Sequence, residues 1–164
     1  MKRYIKSAVQ TVTEESAKIQ EQIARDRYTR PDTLAQLYRN SSLDKTSLDW
    51  DYVLLGLASN PNTPQDILSE LAQHPGRYVR EHVASNPSTS QELLHKLASD
   101  RDRYIKYRVA ENPNTSSETL LKLMNSKIQY RAYWDHLLLK ILGRDNLDPK
   151  VAARARKLYG QYCP

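Results

Sequence analysis

Phenylalanine is absent from this chain, cysteine occurs once, and glycine appears only four times in 164 residues. Each shortage excludes something. With Cys163 as the single thiol, no intrachain disulfide framework and no cluster needing several thiolates can form, and the expected compartment is reducing. Four glycines supply neither a P-loop nor a dinucleotide fingerprint, and a nucleophile elbow is also missing. Lys6, Ser7 and Gln10 interrupt any apolar run near the start, and no stretch approaches the length of a bilayer span. The expectation is a soluble, cytoplasmic protein with no membrane partner. Aromatic character falls instead on eleven tyrosines, so much of it must keep a hydroxyl near water or a partner.

What is present is repetition. Tyr52-Val53 leads into Leu57-Ala58-Ser59-Asn60-Pro61, Tyr78-Val79 into Val83-Ala84-Ser85-Asn86-Pro87, and Tyr104-Ile105 into Val109-Ala110-Glu111-Asn112-Pro113, each 26 residues after the last. A fixed period of this size marks a stacked-repeat protein, in which each unit touches mainly its neighbours and the chain offers an extended surface rather than one deep pocket.

Each repeat reads as two short helices joined by a turn. In the second helix, Leu68 and Leu71, Leu94 and Leu97, and Leu120 and Leu123 keep the three-residue spacing that places both leucines on one face. Thr63, Thr89 and Thr115 precede Asp66, Glu92 and Glu118 by three residues, a spacing that predicts a capping box. Asn-Pro supplies the turn, because Asn bonds the backbone ahead of it and Pro bars the preceding residue from the α region. The first helix runs roughly over Arg77 to Ala84 and Arg103 to Ala110, short enough to permit a 3₁₀ form. Its inward residues are expected to be Tyr78, Val79 and Val83, then Tyr104, Ile105 and Val109. The tyrosine register Tyr52, Tyr78, Tyr104 and Tyr130 is accordingly read as a core ladder in preference to a ligand-stacking one. No period-two pattern supports a sheet.

The segments Leu94-His95-Lys96-Leu97-Ala98-Ser99-Asp100, Tyr78-Val79-Arg80 and Val83-Ala84-Ser85-Asn86-Pro87-Ser88-Thr89 resemble the leucine-rich repeat variant family over about residues 52 to 126. The resemblance implies α-helices alternating with 3₁₀-helices in a right-handed superhelix. The units here are slightly longer than the family's usual repeat. The cysteine-rich iron–sulfur segment at the front of one family member has no counterpart, so the resemblance carries over no cofactor. The expected fold is an all-α, right-handed helical-repeat solenoid of about three regular repeats, each a short α- or 3₁₀-helix plus an α-helix.

The flanks read as caps on a single domain of residues 1–164: an N-terminal cap and degenerate repeat over 1–51, regular repeats over 52–129, and a C-terminal cap over 130–164. Thr29, Asp32, Leu34 and Leu37 reproduce the second-helix signature, after which Ser41 to Asp49 lengthens the connection. Ile5, Val9, Val12, Ile19 and Ile23 over residues 3–25 have spacings consistent with one apolar face that would cover the first repeat, or with two segments divided at Thr11 and Thr13. Tyr130 keeps the register, but Arg131, Asp135 and Leu138 replace the structural residues that follow it elsewhere. Leu137, Leu138, Leu139, Ile141 and Leu142 make an apolar helix ended by Gly143, and Asp148-Pro149 starts a last helix through roughly Leu158.

A net charge of +6 favours acidic partners. Arg77 and Arg103, Arg80 and Lys106, and His82 and Arg108 are each one period apart. With Tyr107, the residues Arg77, Arg80, Arg103, Lys106 and Arg108 make a candidate partner-binding stripe, of the composition that contacts phosphates and stacks on bases. The competing structural reading is that Asp100, Asp102, Glu81 and Glu111 neutralise the stripe and that an Arg following Val serves hydrogen bonding between repeats. His74, His82, His95 and His136 lack metal-site spacing and a cysteine companion, which makes them solvated or turn histidines. Trp50 beside Asp49 and Asp51, and Trp134 beside Asp135, are the sole hint of an enzyme, and those carboxylates suit helix ends and water better. The sequence therefore points to a non-catalytic protein-interaction scaffold whose partner is another protein, with nucleic-acid binding through the stripe as the alternative.

Overall fold

A computed structural model describes residues 16–41, 49–125 and 131–162, which are helical apart from short turns, with no strand among them. The chain divides into two compact units, Met1–Ser88 and Thr89–Pro164. The first contains α1 (described over 16–25), α2 (Pro31–Ser41), α3 (Asp49–Ser59), α4 (Gln65–Leu71) and α5 (Arg77–Ser85). The second contains α6 (Gln91–Leu97), α7 (Arg103–Glu111), α8 (Ser117–Asn125), α9 (Arg131–Leu142) and α10 (Pro149–Tyr162). The short first helices of the repeats are α-helical, so the 3₁₀ form is not adopted there.

In the first unit, α3 packs on α2, α4 and α5, and α4 packs on α5. The leucine spacing does what it predicts: Leu34, Leu57, Leu68 and Leu71 are buried, with Val53, Val79 and Val83 filling the space between helices. Gly56 permits the closest approach. A Cβ built there would sit 2.8 Å from the Ala24 Cβ, so α1 can lie against α3 only because position 56 has no side chain. Ile19 and Ile23 depart from the expected covering face, being 58% and 37% exposed; Ala24 is the buried residue of that helix instead. Ile5, Val9 and Val12 lie outside the described residues.

The turns are held by a recurrent set of buried hydrogen bonds. Asn86 donates from Nδ2 to the carbonyls of Ala58 (2.8 Å) and Asn60 (2.9 Å), one repeat earlier, and its Oδ1 accepts from the Ser88 amide (2.8 Å). Asn60 does the same one step upstream, donating to Ala24 and Asp26 at 2.8 Å each and accepting from Asn62. Both asparagines are almost fully buried. An interior carboxamide that satisfies two carbonyls and one amide removes what would otherwise be costly unpaired backbone. Asp26 stands where these asparagines do: it accepts from the Tyr28 amide but has no amide of its own to donate further.

The threonines hold a different post from the one their spacing suggests. Thr29, Thr63 and Thr115 each donate from Oγ1 to a carbonyl six residues earlier, of Ile23, Leu57 and Val109 respectively. Thr63, Thr89 and Thr115 are buried, and the helices begin two residues after them, at Gln65, Gln91 and Ser117. Ser90 is the N-cap of α6 and accepts from the Leu93 amide, Ser116 accepts from Thr119 ahead of α8, and Pro64 precedes α4 with no side-chain cap. Thr63 and Thr115 therefore tie the second helix's entry to the first helix's end, and at α6 and α8 the capping role passes to the following serine.

In the second unit, α7 packs on α6, α8 and α9, while α10 packs on α8 and α9. Leu94, Leu97, Ile105, Val109, Leu120 and Leu123 are buried, as are Leu137, Leu138 and Ile141 of the apolar helix, whereas Leu139 is exposed. Asp148 caps α10 by accepting from the amides of Lys150 and Val151, and that helix continues beyond Leu158 to Tyr162. Tyr130 lies outside the described residues.

Candidate interaction surfaces

The tyrosine register does not enter the core. Tyr52, Tyr78 and Tyr104 are 55%, 57% and 44% exposed. Val79 and Val83 of α5 lie four residues apart on one helical face, and Tyr78, about 100° round the helix from Val79, falls off it. A helix of nine residues has only one face to bury.

Each exposed tyrosine in α5 and α7 is accompanied by the arginine before it. The Arg77 guanidinium lies 4.6 Å from the Tyr78 ring centroid and donates to the Tyr78 hydroxyl at 3.1 Å. Arg103 repeats this with Tyr104, at 5.1 Å and 3.3 Å. A guanidinium over a π-face gains cation–π attraction of about 0.5–1 kcal/mol at an exposed site. The contact biases the arginine towards one rotamer. Asp102 fixes the second pair further by accepting from the Tyr104 amide at the start of α7.

The remaining members of the candidate stripe have other posts. Arg80 is only 6% exposed and donates to the carbonyls of His74 (2.8 Å) and Pro75 (2.9 Å), so it braces the turn between α4 and α5 rather than presenting charge. Arg108 pairs with Glu111 at 2.9 Å, and Lys140 reaches the same carboxylate at 2.8 Å. Partial burial of Glu111 alone would raise its pKa; the bonds and charges of Lys140 and Arg108 outweigh that and hold it below its ordinary value. Tyr107 hydrogen-bonds Lys140, whose own pKa is raised chiefly by its bond to Glu111. The neutralisation foreseen for Glu111 is thus in place. Lys106 opens onto a groove, shared with His95 and Lys122.

Two features were missed in the sequence. The Arg–Tyr pairs are visible as a repeated dipeptide, Arg77-Tyr78 and Arg103-Tyr104, but nothing in the spacing distinguishes an exposed repeated tyrosine from a buried one. Arg144 carried no signal at all: it donates to the carbonyls of Ala110, Asn112, Pro113 and Thr115 in the second unit. Of the histidines, His74 accepts from the Gly76 amide, His82 bonds the Tyr78 carbonyl and His95 bonds the Thr119 hydroxyl. The side chains of Asp49, Trp50, Asp51 and Trp134 lie outside those described. Among the described residues no group of His, Cys, Asp and Glu is placed to hold a metal ion, and no helix is long and apolar enough to cross a membrane.

Paired helices that repeat every 26 residues on a hydrogen-bonded Asn-Pro turn define an all-α helical-repeat protein. Residues 54–107, from within α3 to within α7, match the family model described as the Leucine Rich Repeat Variant domain, inside the span where the residues resemble that family. No curated protein and no solved structure matches the chain.

Proposed function

We propose that the protein is a non-catalytic protein-interaction scaffold, cytoplasmic, whose partner is another protein held through the exposed Arg–Tyr pairs. The observation that carries this reading is the pairing itself. Tyrosine and arginine dominate the energetics of protein interfaces, because a large rigid ring and a planar donor bury much area for few frozen rotamers. The ring contacts of Arg77 and Arg103 bias each guanidinium towards one position, which lowers the entropy lost on binding. The family match at residues 54–107 supports a repeat scaffold, and the lone cysteine supports a reducing compartment. The cap reading of residues 1–51 and 130–164 belongs to the same proposal. It is supported by Asp26, whose carboxylate cannot donate to earlier carbonyls as the side chains of Asn60 and Asn86 do.

Affinity capture on the full chain tests the reading, with the double variants R77A/Y78A and R103A/Y104A as comparison. The expected result is a partner protein recovered over a range of salt and reduced about tenfold by either double variant, equivalent to the loss of roughly 1.4 kcal/mol. Recovery of nothing above background, or of a partner indifferent to both variants, would sink it. A nucleic-acid partner would announce itself by a DNA or RNA mobility shift whose affinity falls steeply with salt.

A further inference from the structure

The second unit holds an open groove of about 540 Å³ lined by His95, Ala98 and Ser99 of the α6 segment, Lys106 of α7, and Glu118, Lys122 and Asn125 of α8. Its lining is rich in donors. Lys122 gives one N–H to the His95 carbonyl at 2.8 Å and has two left. The Lys106 ammonium has no hydrogen-bond or ion-pair partner among the described residues. Asn125 accepts from Arg154 through Oδ1 at 3.2 Å, a bond that leaves its amide group as the donor end. His95 is itself fixed, Nδ1 lying 3.0 Å from the Thr119 hydroxyl. Glu118 is the single carboxylate in the lining. It sits in the first turn of α8, where the helix dipole favours a negative charge whether or not the groove is occupied.

Two ammonium groups, one carboxamide and one hydroxyl directed at a shallow groove call for oxyanions, and the openness of the groove suits a chain lying across it more than a small molecule enclosed by it. We propose that this groove binds an acidic peptide segment, with a carboxylate or phosphoryl side chain seated between Lys106 and Lys122. The site shares no residue with the Arg–Tyr pairs and goes beyond the scaffold reading. It names a second contact and the charge of what fills it. Glu118 tunes the site, because its charge opposes an incoming anion.

Fluorescence anisotropy on the full chain provides the test, using a labelled ten-residue peptide bearing four glutamates, its glutamine counterpart, and a phosphoserine version. The glutamate and phosphoserine peptides are expected to bind, with affinity that falls as salt screens the exposed lysines, and the glutamine peptide is expected not to. Which acid binds more tightly tells carboxylate from phosphoryl recognition. Lys106→Gln should weaken binding about threefold and the K106Q/K122Q pair about tenfold, while Glu118→Gln should tighten it about twofold. The K150Q/K157Q pair removes the same charge from α10 outside the groove and should leave affinity unchanged. Lys106→Gln breaks no described bond, so its result stands even if K122Q perturbs the fold. Equal binding of the glutamine peptide, no binding at low salt, or losses in K150Q/K157Q as large as in K106Q/K122Q would each overturn the proposal.

Discussion

Arg144 donates through Nη1 to the carbonyls of Ala110 and Asn112, both at 2.8 Å, the two positions that Asn86 reaches on Ala58 and Asn60. Its second nitrogen, Nη2, reaches Pro113 and Thr115 at 3.1 and 3.4 Å. One guanidinium thus performs the donor work of an asparagine and of the residue two places beyond it, as Ser88 does towards Pro61. Burial pulls the Arg144 pKa down from its ordinary value, but an arginine remains charged at any physiological pH.

Arg144→Ala should destabilise the protein by about 2–3 kcal/mol, because several carbonyls lose a charged donor together. Arg144→Lys should recover only part of this, since a point charge cannot bridge four acceptors in one plane. Urea unfolding of the two variants checks the order. An alanine variant as stable as the parent would mean that water replaces the guanidinium at no cost.

Thr115 and Ser90 separate the two roles that the sequence spacing merges. Thr115→Val keeps shape and removes the hydroxyl that bonds the Val109 carbonyl, at a cost of about 1–2 kcal/mol, and Thr115→Ser should restore most of it. Ser90→Ala removes the cap of α6 and should cost about 1 kcal/mol. Thermal unfolding is sufficient to measure both. A Thr115→Val variant indistinguishable from the parent would return the threonine to the surface.

Gly56→Ala offers a sign test. In an ordinary helix interior this change stabilises by roughly 1 kcal/mol. Here the new Cβ meets the Ala24 Cβ at 2.8 Å and the Ala24 backbone carbon at 3.3 Å, neither of which is a flexible chain end. Overpacking of this kind typically costs about 1–3 kcal/mol, so the variant should unfold at lower denaturant. Increased stability would mean that α1 does not lie against α3.

Tyr38 should titrate late. Burial first, then the hydrogen bond to Glu70 at 2.8 Å and that residue's charge, push its pKa from 10.0 up to about 12. A folded-state pKa above the unfolded one means that the neutral phenol is preferred by the native state. Its contribution to stability is complete below pH 10 and is lost as pH rises towards 12. Ultraviolet difference titration should show one tyrosine lagging the rest, and Glu70→Gln should bring it partway back. A single transition near the ordinary value for every tyrosine would contradict the Tyr38–Glu70 bond.

The repeat was legible because its period is fixed by packing. Leu68, Leu94 and Leu120 recur every 26 residues because each successive helix meets the same need for a buried leucine, and that need is written in spacing alone. The burial of Leu34 and Leu37 was legible for the same reason. Arg144 was not, because its bonds to Ala110 and Asn112 span 34 and 32 residues where Asn86 spans 28 and 26. A comparison at constant period passes over it. Tyr78 and Tyr104 misled in the opposite direction: a residue repeated for an exposed pairing with its neighbouring arginine leaves the same trace as one repeated for the core.

The order of apolar and turn residues by itself determined that this chain forms paired helices, where each turn falls, and which leucines and valines are buried. Those follow from local periodicity and from the fixed φ of proline. Which polar groups are spent and which are offered was decided by tertiary structure. Arg80, Arg103, Lys106 and Arg108 are alike as letters, yet one braces a turn, one stacks on a ring, one faces a groove and one is neutralised by Glu111. Charge and hydrogen bonding depend on distance in space, and helix packing sets that distance between residues that spacing alone treats as equivalent.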